Sequence, residues 1–259
     1  MKNNVKFYYP AGNETALVLG DGGEFYNGDF KALNDEILSA FSGVEQVGFL
    51  KDVELKMAGG EICFNALRCA GKYFLDKFGV DKIDVILNDK SYECGVKSPF
   101  FIKKHDESLY QKYKNDDMIY LKAPLEYDFK TINENEFLCD LKDIVHVIYT
   151  KKIDFADENE LKNYAYEYLK NANLLDRKAA GFMYLDDDNL HPVVWVKDIK
   201  TLFYESACGS GSFASFVYKK EILAQTFVAL KQPSSEYLFL EKDDDFVIIS
   251  SFIKELDKR

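Results

Sequence analysis

Two cysteine-centred stretches carry the residues best suited to chemistry. One runs Glu205-Ser-Ala-Cys208-Gly209-Ser210-Gly211-Ser-Phe-Ala214. Earlier in the chain, Glu61-Ile-Cys63-Phe64-Asn65-Ala66-Leu67-Arg68-Cys69-Ala70 partly echoes it, with a glutamate, a cysteine, a short polar turn and a run able to continue as a helix. A helix N-terminus presents N–H groups that lack intrahelical partners, together with a partial positive charge. Such a terminus holds a carboxylate and lowers the pKa of a neighbouring thiol, making thiolate available. If the two turns face each other across one cleft, a small carboxylate is gripped from both sides, and the carbon beside it sits between two sulfurs. One thiolate removes a proton from one face of that carbon; the other sulfur, as a thiol, delivers a proton to the opposite face. The stereocentre inverts without pyridoxal phosphate and without a metal. The N–H donors must then stabilise charge that grows on the carboxylate, and closing the cleft against water strengthens those contacts.

Cysteine is also among the residue types most often buried as core. Cys69, Cys94 and Cys139 read that way, whereas Cys208, flanked by small flexible residues at a helix start, does not. Five cysteines match neither a disulfide framework nor a zinc site in their spacing, and a reduced, cytosolic compartment fits them. The 259 residues suffice for one large or two ordinary domains, and 47% apolar content supports a real core. A net charge of −11 with no basic cluster argues against a nucleic-acid partner. No run of about 18 apolar residues is present, so no membrane span is expected, and the N-terminus has no apolar signal core.

The elements that must position the two turns are mostly strands. Lys6–Tyr9, Thr15–Leu19, Val44–Leu50, Leu55–Met57, Lys82–Leu87, Tyr92–Val96, Met118–Leu121, Phe137-Leu138 and Asp143–Tyr149 read as strands. So do Gly181–Leu185, Pro192–Val196, Tyr237–Leu240 and Phe246–Ser250. The acidic runs Asp186–Asn189 and Asp243–Asp245 between these last pairs read as solvated turns rather than metal sites. Gly20–Gly23 is a turn, since Phe25 stands where a dinucleotide loop needs its third glycine. Leu33, Ile37, Leu38 and Phe41 mark a helix that ends near Gly43. Leu67, Ala70, Phe74 and Leu75 line the helix after Cys63. Asp157 opens a further helix, with Glu160 completing a capping box and Leu161, Tyr164, Ala165, Tyr168 and Leu169 on its core face. Glu45 reads as a strand-edge carboxylate facing water.

The pattern is α+β: two similar strand-rich, barrel-like halves, each around a central helix, related by a pseudo-two-fold, with the active site in the cleft between them. The halves are expected at 1–133, carrying Cys63, and 134–259, carrying Cys208, with the last strand able to pack back on the first half.

These residues resemble a family. Glu61-x-Cys63-x-Asn65-x-x-Arg68-Cys69 is similar to the Cys-Gly-Asn-Gly-x-Arg-Cys motif of diaminopimelate epimerases, Ala207-Cys208-Gly209-Ser210-Gly211 to their Ala-Cys-Gly-Thr/Ser-Gly, and Ala11-Gly12-Asn13 to their Ser-Gly-Asn. Two departures point away from a substrate with a second carboxylate and ammonium. Leu202-Phe-Tyr-Glu205-Ser206 lacks the arginine of their Glu-Arg-Gly, and Asp143-Ile-Val-His146 replaces their Gly-Asn-Pro-His. A nearer likeness is to the cofactor-independent histidine racemases of staphylopine-type metallophore synthesis, at Pro10-x-Gly12-Asn13-x-Thr15, Glu45-Gln46-Val47-Gly48-Phe49, Val145-His146 and Glu205-x-x-Cys208-Gly209-Ser210-Gly211. That resemblance implies Cys63 and Cys208 as the two bases and a carboxylate cradle from backbone N–H groups of Phe64, Asn65, Gly209 and Ser210. It implies that Asn13 touches the substrate and that Glu45 meets an imidazole. Glu205 either orients the ammonium or caps its helix, and His146 lies either in the pocket or in the core. Phe64 stands where both families have glycine, which narrows the pocket or shifts the turn.

The expected protein is thus a two-base amino-acid racemase, for histidine first, with no cofactor and a small amino acid as its partner. A diaminopimelate epimerase with an altered distal site is the alternative, and a non-catalytic amino-acid-binding protein is a further one. Isomerases of the phenazine-biosynthesis type lack the cysteine pair, which counts against them here. Relatives suggest a homodimer.

Overall fold

The computed structural model describes residues 4–20 and 30–257; most of the Gly20–Gly23 turn lies outside them. The first part of the chain forms β1 (Val5–Tyr9), β2 (Glu14–Leu19), α1 (Phe30–Ala40), β3 (Val44–Lys51), β4 (Glu54–Met57), α2 (Phe64–Phe78), β5 (Lys82–Leu87), β6 (Lys90–Lys97), α3 (Phe100–Lys103), α4 (Glu107–Tyr113) and β7 (Met118–Pro124). It continues with β8 (Asp128–Asn133), β9 (Glu136–Asp140), β10 (Val145–Tyr149), α5 (Glu158–Asn171), β11 (Ala179–Asp186), β12 (Asn189–Val196), β13 (Thr201–Tyr204) and α6 (Gly209–Leu223). β14 (Phe227–Lys231), β15 (Tyr237–Asp243), β16 (Phe246–Phe252) and β17 (Lys254–Leu256) complete it. The result is a strand-rich mixed sheet with helices set into it.

The pairing follows from the connections. Parallel neighbours need a crossover, and each parallel pair here has a helix between its strands: α1 between β2 and β3, α2 between β4 and β5, α5 between β10 and β11, α6 between β12 and β14. The other pairs are antiparallel. From β1 to β7 the order is antiparallel, parallel, antiparallel, parallel, antiparallel, antiparallel. The same order recurs from β9 through β10, β11, β12, β14 and β15 to β16. β7 and β16 pair with each other, and β17 returns to β1.

α2 and α6 are the interior helices. Both bury residues from their first turn onward, and α6 encloses even Lys219, whose Nζ pairs with Asp188 at 2.8 Å. That pair gives one member of the Asp186–Asn189 turn a structural task, while Asp186 and Asp187 stay exposed. α1 and α5 cover separate apolar patches, with Ile37 under the first and Leu161, Ala165 and Leu169 under the second. Tyr164 is 41% exposed, so the α5 core face is narrower than the sequence suggests. Asp157 caps α5 through Asn159 and Glu160 N–H groups, but the Glu160 carboxylate accepts from Ala156 N–H, one residue earlier than the expected capping box. The strands β8, β13, β14 and β17 and the short helices α3 and α4 are absent from the sequence-based reading.

Candidate active site

Cys63 and Cys208 are the N-caps of α2 and α6. Their backbones have nearly the same extended conformation (φ −133°, ψ 102° and φ −128°, ψ 110°), and each sulfur accepts an N–H from three residues on, Ala66 at 3.4 Å and Gly211 at 3.2 Å. The two helix starts abut: a Cβ on Gly209 would lie 2.9 Å from Phe64 Cβ and 2.9 Å from Asn65 Oδ1. The Phe64 ring turns away to meet Tyr92 and Phe213 edge-on. So the side chain that replaces glycine at the first position of α2 is accommodated because the matching position of α6 has none.

Both cysteines, with Phe64, Asn65, Gly209 and Ser210, line one cavity of about 40 Å³. Its polar wall includes Glu45, Gln46, Glu61, Thr201 and Glu205; Met57, Val194, Val196, Ile199 and Phe203 are among its apolar lining. Among the described residues, no Lys, Arg or His side chain is in the lining. The first N–H groups of the two helices therefore supply the positive end of the site.

The loop before Cys208 is clasped from the N-terminal part of the chain. Asn13 and Asn65 each donate a side-chain N–H to Ala207 O, at 2.8 and 2.9 Å. Asn13 N–H donates to Ser206 Oγ. The turn that carries Asn13 has positive φ at Ala11, Gly12 and Asn13, and a Cβ on Gly12 would stand 2.7 Å from Ser206 O. Asn65 is fixed in turn by Arg68, which donates to its Oδ1 at 2.5 Å and also to Ser251 Oγ. Arg68 is fully buried, and burial lowers its pKa to about 10. On the Cys208 side, the Cys208 N–H donates to Gln232 Oε1 at 3.0 Å.

Glu45 and Gln46 are adjacent yet both face the cleft. The β2–β3 register shifts here, Glu14 opposing Val44 and Thr15 opposing Gln46, so Glu45 is the extra residue of a β-bulge. Glu45 does not face bulk water. Its carboxylate takes the Ser206 N–H at 3.0 Å and the Ser206 hydroxyl, and burial raises its pKa. Gln46, to which the sequence assigned no task, accepts the Cys63 S–H at 2.7 Å and donates to Thr15 Oγ1 at 2.9 Å, which donates to Asn13 O at 3.0 Å.

Electrostatics correct one expectation. The helix termini do not leave the thiols acidic: burial pushes both well above the ordinary thiol value, and the nearby carboxylates add to it, Glu205 and Glu61 at Cys63 and Glu205 at Cys208. The N–H groups of Ala66 and Gly211 act in the opposite direction but are outweighed. Glu205 itself is pushed up to about 8, by burial first and then by the fields of Glu45 and Glu61, against hydrogen bonds from Cys208 and Asn13. Both thiols and most of the Glu205 population are thus protonated near neutral pH.

His146 lies in the core on β10. It is fully buried, lies against Gly181, makes no hydrogen bond at either ring nitrogen, and has its pKa lowered to about 3 by burial. Cys69, Cys94 and Cys139 are buried free thiols. Among the described residues, no group of three or more His, Cys, Asp or Glu side chains could hold a metal ion, and no helix is long and apolar enough to cross a membrane.

The family model of the histidine racemase CntK N-terminal domain matches residues 4–238. A histidine racemase of Fusobacterium nucleatum subsp. nucleatum is 29% identical over 253 residues, covering 92% of this chain and 89% of that protein. Among solved structures, a predicted epimerase of Pseudomonas aeruginosa superposes with a TM-score of 0.62 at 10% identity, covering 97% of each chain. A phenazine biosynthesis PhzF family protein of Enterococcus faecalis superposes with a TM-score of 0.58 at 12% identity, covering 98% of this chain and 97% of that one.

Proposed function

This chain belongs to the family of the histidine racemase CntK N-terminal domain, and on that footing we propose that it inverts the α-carbon of histidine by a two-base mechanism using Cys63 and Cys208. The observation that carries the reading is that both sulfurs, each the cap of a buried helix, open onto one cavity. The substrate carboxylate lies on the N–H groups of Phe64, Asn65, Gly209 and Ser210, and the ammonium lies toward Glu205, which Asn13 supports from behind the cavity lining. One sulfur, as thiolate, takes the α-proton: the C–H bond breaks, an S–H bond forms, and the electron pair moves into the carboxylate. The other thiol then gives its proton to the opposite face, becoming thiolate. An ammonium beside Glu205 offsets the carboxylate field that helps to keep Cys208 protonated, so binding itself favours the reactive form. Glu45, held by Ser206, borders the cavity and positions the loop before Cys208.

The absence of cationic side chains from the lining among the described residues supports a substrate with one carboxylate and disfavours diaminopimelate, whose second carboxylate would meet no cationic partner there. The recurring strand order supports reading the fold as two related halves that change over between β7 and β9, the span holding Asn133–Asn135, with the cleft between them. A cytoplasmic homodimer is the proposed working form.

The test is incubation with L-histidine in deuterated water, followed by chiral chromatography and mass spectrometry. D-Histidine bearing one α-deuterium is the expected product. Exchange of a diaminopimelate isomer with histidine untouched would assign the alternative, and tight histidine binding without any exchange would assign a binding protein.

A further inference from the structure

Two polar atoms in the cavity wall, Glu61 Oε2 and Thr201 Oγ1, are buried without a hydrogen-bond partner, although the backbone N–H groups of Gly59 and Glu61 act on the Glu61 carboxylate from nearby. Both residues line the cavity. Buried polar groups are almost always partnered, and an unpaired buried carboxylate oxygen is among the least favourable to leave so. The two atoms belong to the same end of the cleft. A Cβ on Gly59 would lie 2.7 Å from Glu61 Oε2 and 2.4 Å from Val196 Cγ1. Val196 is paired directly with Thr201 across β12 and β13, where opposed residues project from the same face.

The other carboxylates of the cleft are committed. Glu45 is held by Ser206, and Glu205 interacts with Cys208 and Asn13. Lys178 acts on Glu61 through space and is itself ion-paired with Asp143 at 3.3 Å. Around Glu61 and Thr201 the lining is apolar, with Val194, Val196, Ile199 and Phe203. A carboxylate oxygen accepts a hydrogen bond and a hydroxyl can donate one. A neutral imidazole offers one ring N–H and one ring lone pair, so the two match it at both ring nitrogens.

We propose that Glu61 and Thr201 form the side-chain subsite, Glu61 accepting from the ring N–H of the substrate and Thr201 donating to its other ring nitrogen. This rests on the amino-acid racemase reading, but it needs only a substrate with an N–H-bearing side chain. Glu61 and Thr201 are specificity residues here, and Glu61 also acts through its charge on the Cys63 thiol.

The experiment compares the whole protein with its E61Q and T201V variants. The substrates are L-histidine and L-3-(2-thienyl)alanine, whose ring has similar shape but no nitrogen. Initial rates of α-deuteration give kcat and KM. Each variant should raise KM for histidine about 10- to 100-fold, the range for loss of one hydrogen bond involving a charged or buried partner. In T201V the kcat for histidine should stay within about three-fold and thienylalanine should be nearly unaffected; in E61Q, whose lost charge also acts on the Cys63 thiol, kcat should change alike for both substrates while KM rises for histidine alone. Thermal melts identify any variant that fails to fold; T201V keeps the threonine shape and carries the test if E61Q does not fold. An unchanged histidine KM in the folded variants overturns the subsite, as does an equal rise in KM for both substrates or, in T201V, a loss confined to kcat. A wild-type enzyme that ignores histidine but inverts another amino acid with a side-chain N–H overturns the histidine reading and upholds the subsite, provided E61Q raises that KM. A best substrate with an aliphatic or anionic side chain overturns the subsite and the histidine reading but leaves the two-base racemase reading standing, and inactivity on every amino acid overturns all three.

Discussion

Replacing Glu205 with glutamine should make the protein more stable at alkaline pH while removing its activity. Burial and two neighbouring carboxylates move the Glu205 carboxyl from 4.5 to about 8 in the folded protein. Between those values the folded chain keeps a proton that the unfolded chain has released. Stability therefore falls as pH rises through this window, and the loss is complete above pH about 8. At about 1.4 kcal/mol per pH unit, over about 3.5 pH units, the ceiling is about 5 kcal/mol. Part of Glu205 faces the cleft, so solvent screening should bring the effect to about 2–3 kcal/mol. Urea unfolding of the wild type and Glu205→Gln, followed by circular dichroism at pH 5, 6.5, 8 and 9, measures it. The two curves should approach each other at pH 5 and diverge as pH rises, with the variant the more stable. Curves that run parallel across the whole range would mean that Glu205 titrates normally, and the electrostatic description of the cleft would fail with it.

Gly12→Ala should cost about 2–4 kcal/mol in urea unfolding, because φ is +118° and the new Cβ would meet Ser206 O at 2.7 Å; the accompanying shift of the Cys208 loop should lower kcat as well. Gln46→Leu removes the acceptor of the Cys63 S–H and should lower kcat about 10-fold or more with a smaller effect on melting, as steady-state kinetics and calorimetry would show. Asp157→Ala deletes the α5 cap and should lower stability by about 1 kcal/mol. That is a melting shift of about 2–4 °C for a chain of this size, with activity unchanged because α5 lies outside the cavity lining.

What the sequence made legible were features written locally. The cap cysteines with their glycines and polar turns, the Asp157 cap and the β11–β12 strands around their acidic turn all depend on residues within a few positions of one another. β8 was not legible because Asp128–Asn133 is a largely exposed edge with little apolar alternation. The joint presence of Glu45 and Gln46 in the cleft depends on a bulge set by the partner strand, and strict alternation would have turned one of them away. The protonation of the thiols followed from burial and from two carboxylates, Glu61 and Glu205, brought together across the chain, which outweigh the helix termini that the sequence does reveal. Thr201 carried no signal at all, since its task arises only where β13 closes the far end of the cavity.

The two-sulfur account is tested most directly by α-hydrogen exchange in deuterated water with Cys63→Ser and Cys208→Ser, starting from each enantiomer of histidine. Neither variant should form the opposite enantiomer, with inversion down at least about 1,000-fold. Any residual exchange should be confined to one enantiomer in Cys63→Ser and to the other in Cys208→Ser. Inversion at the wild-type rate in either variant would contradict the assignment of the two thiols as opposing bases.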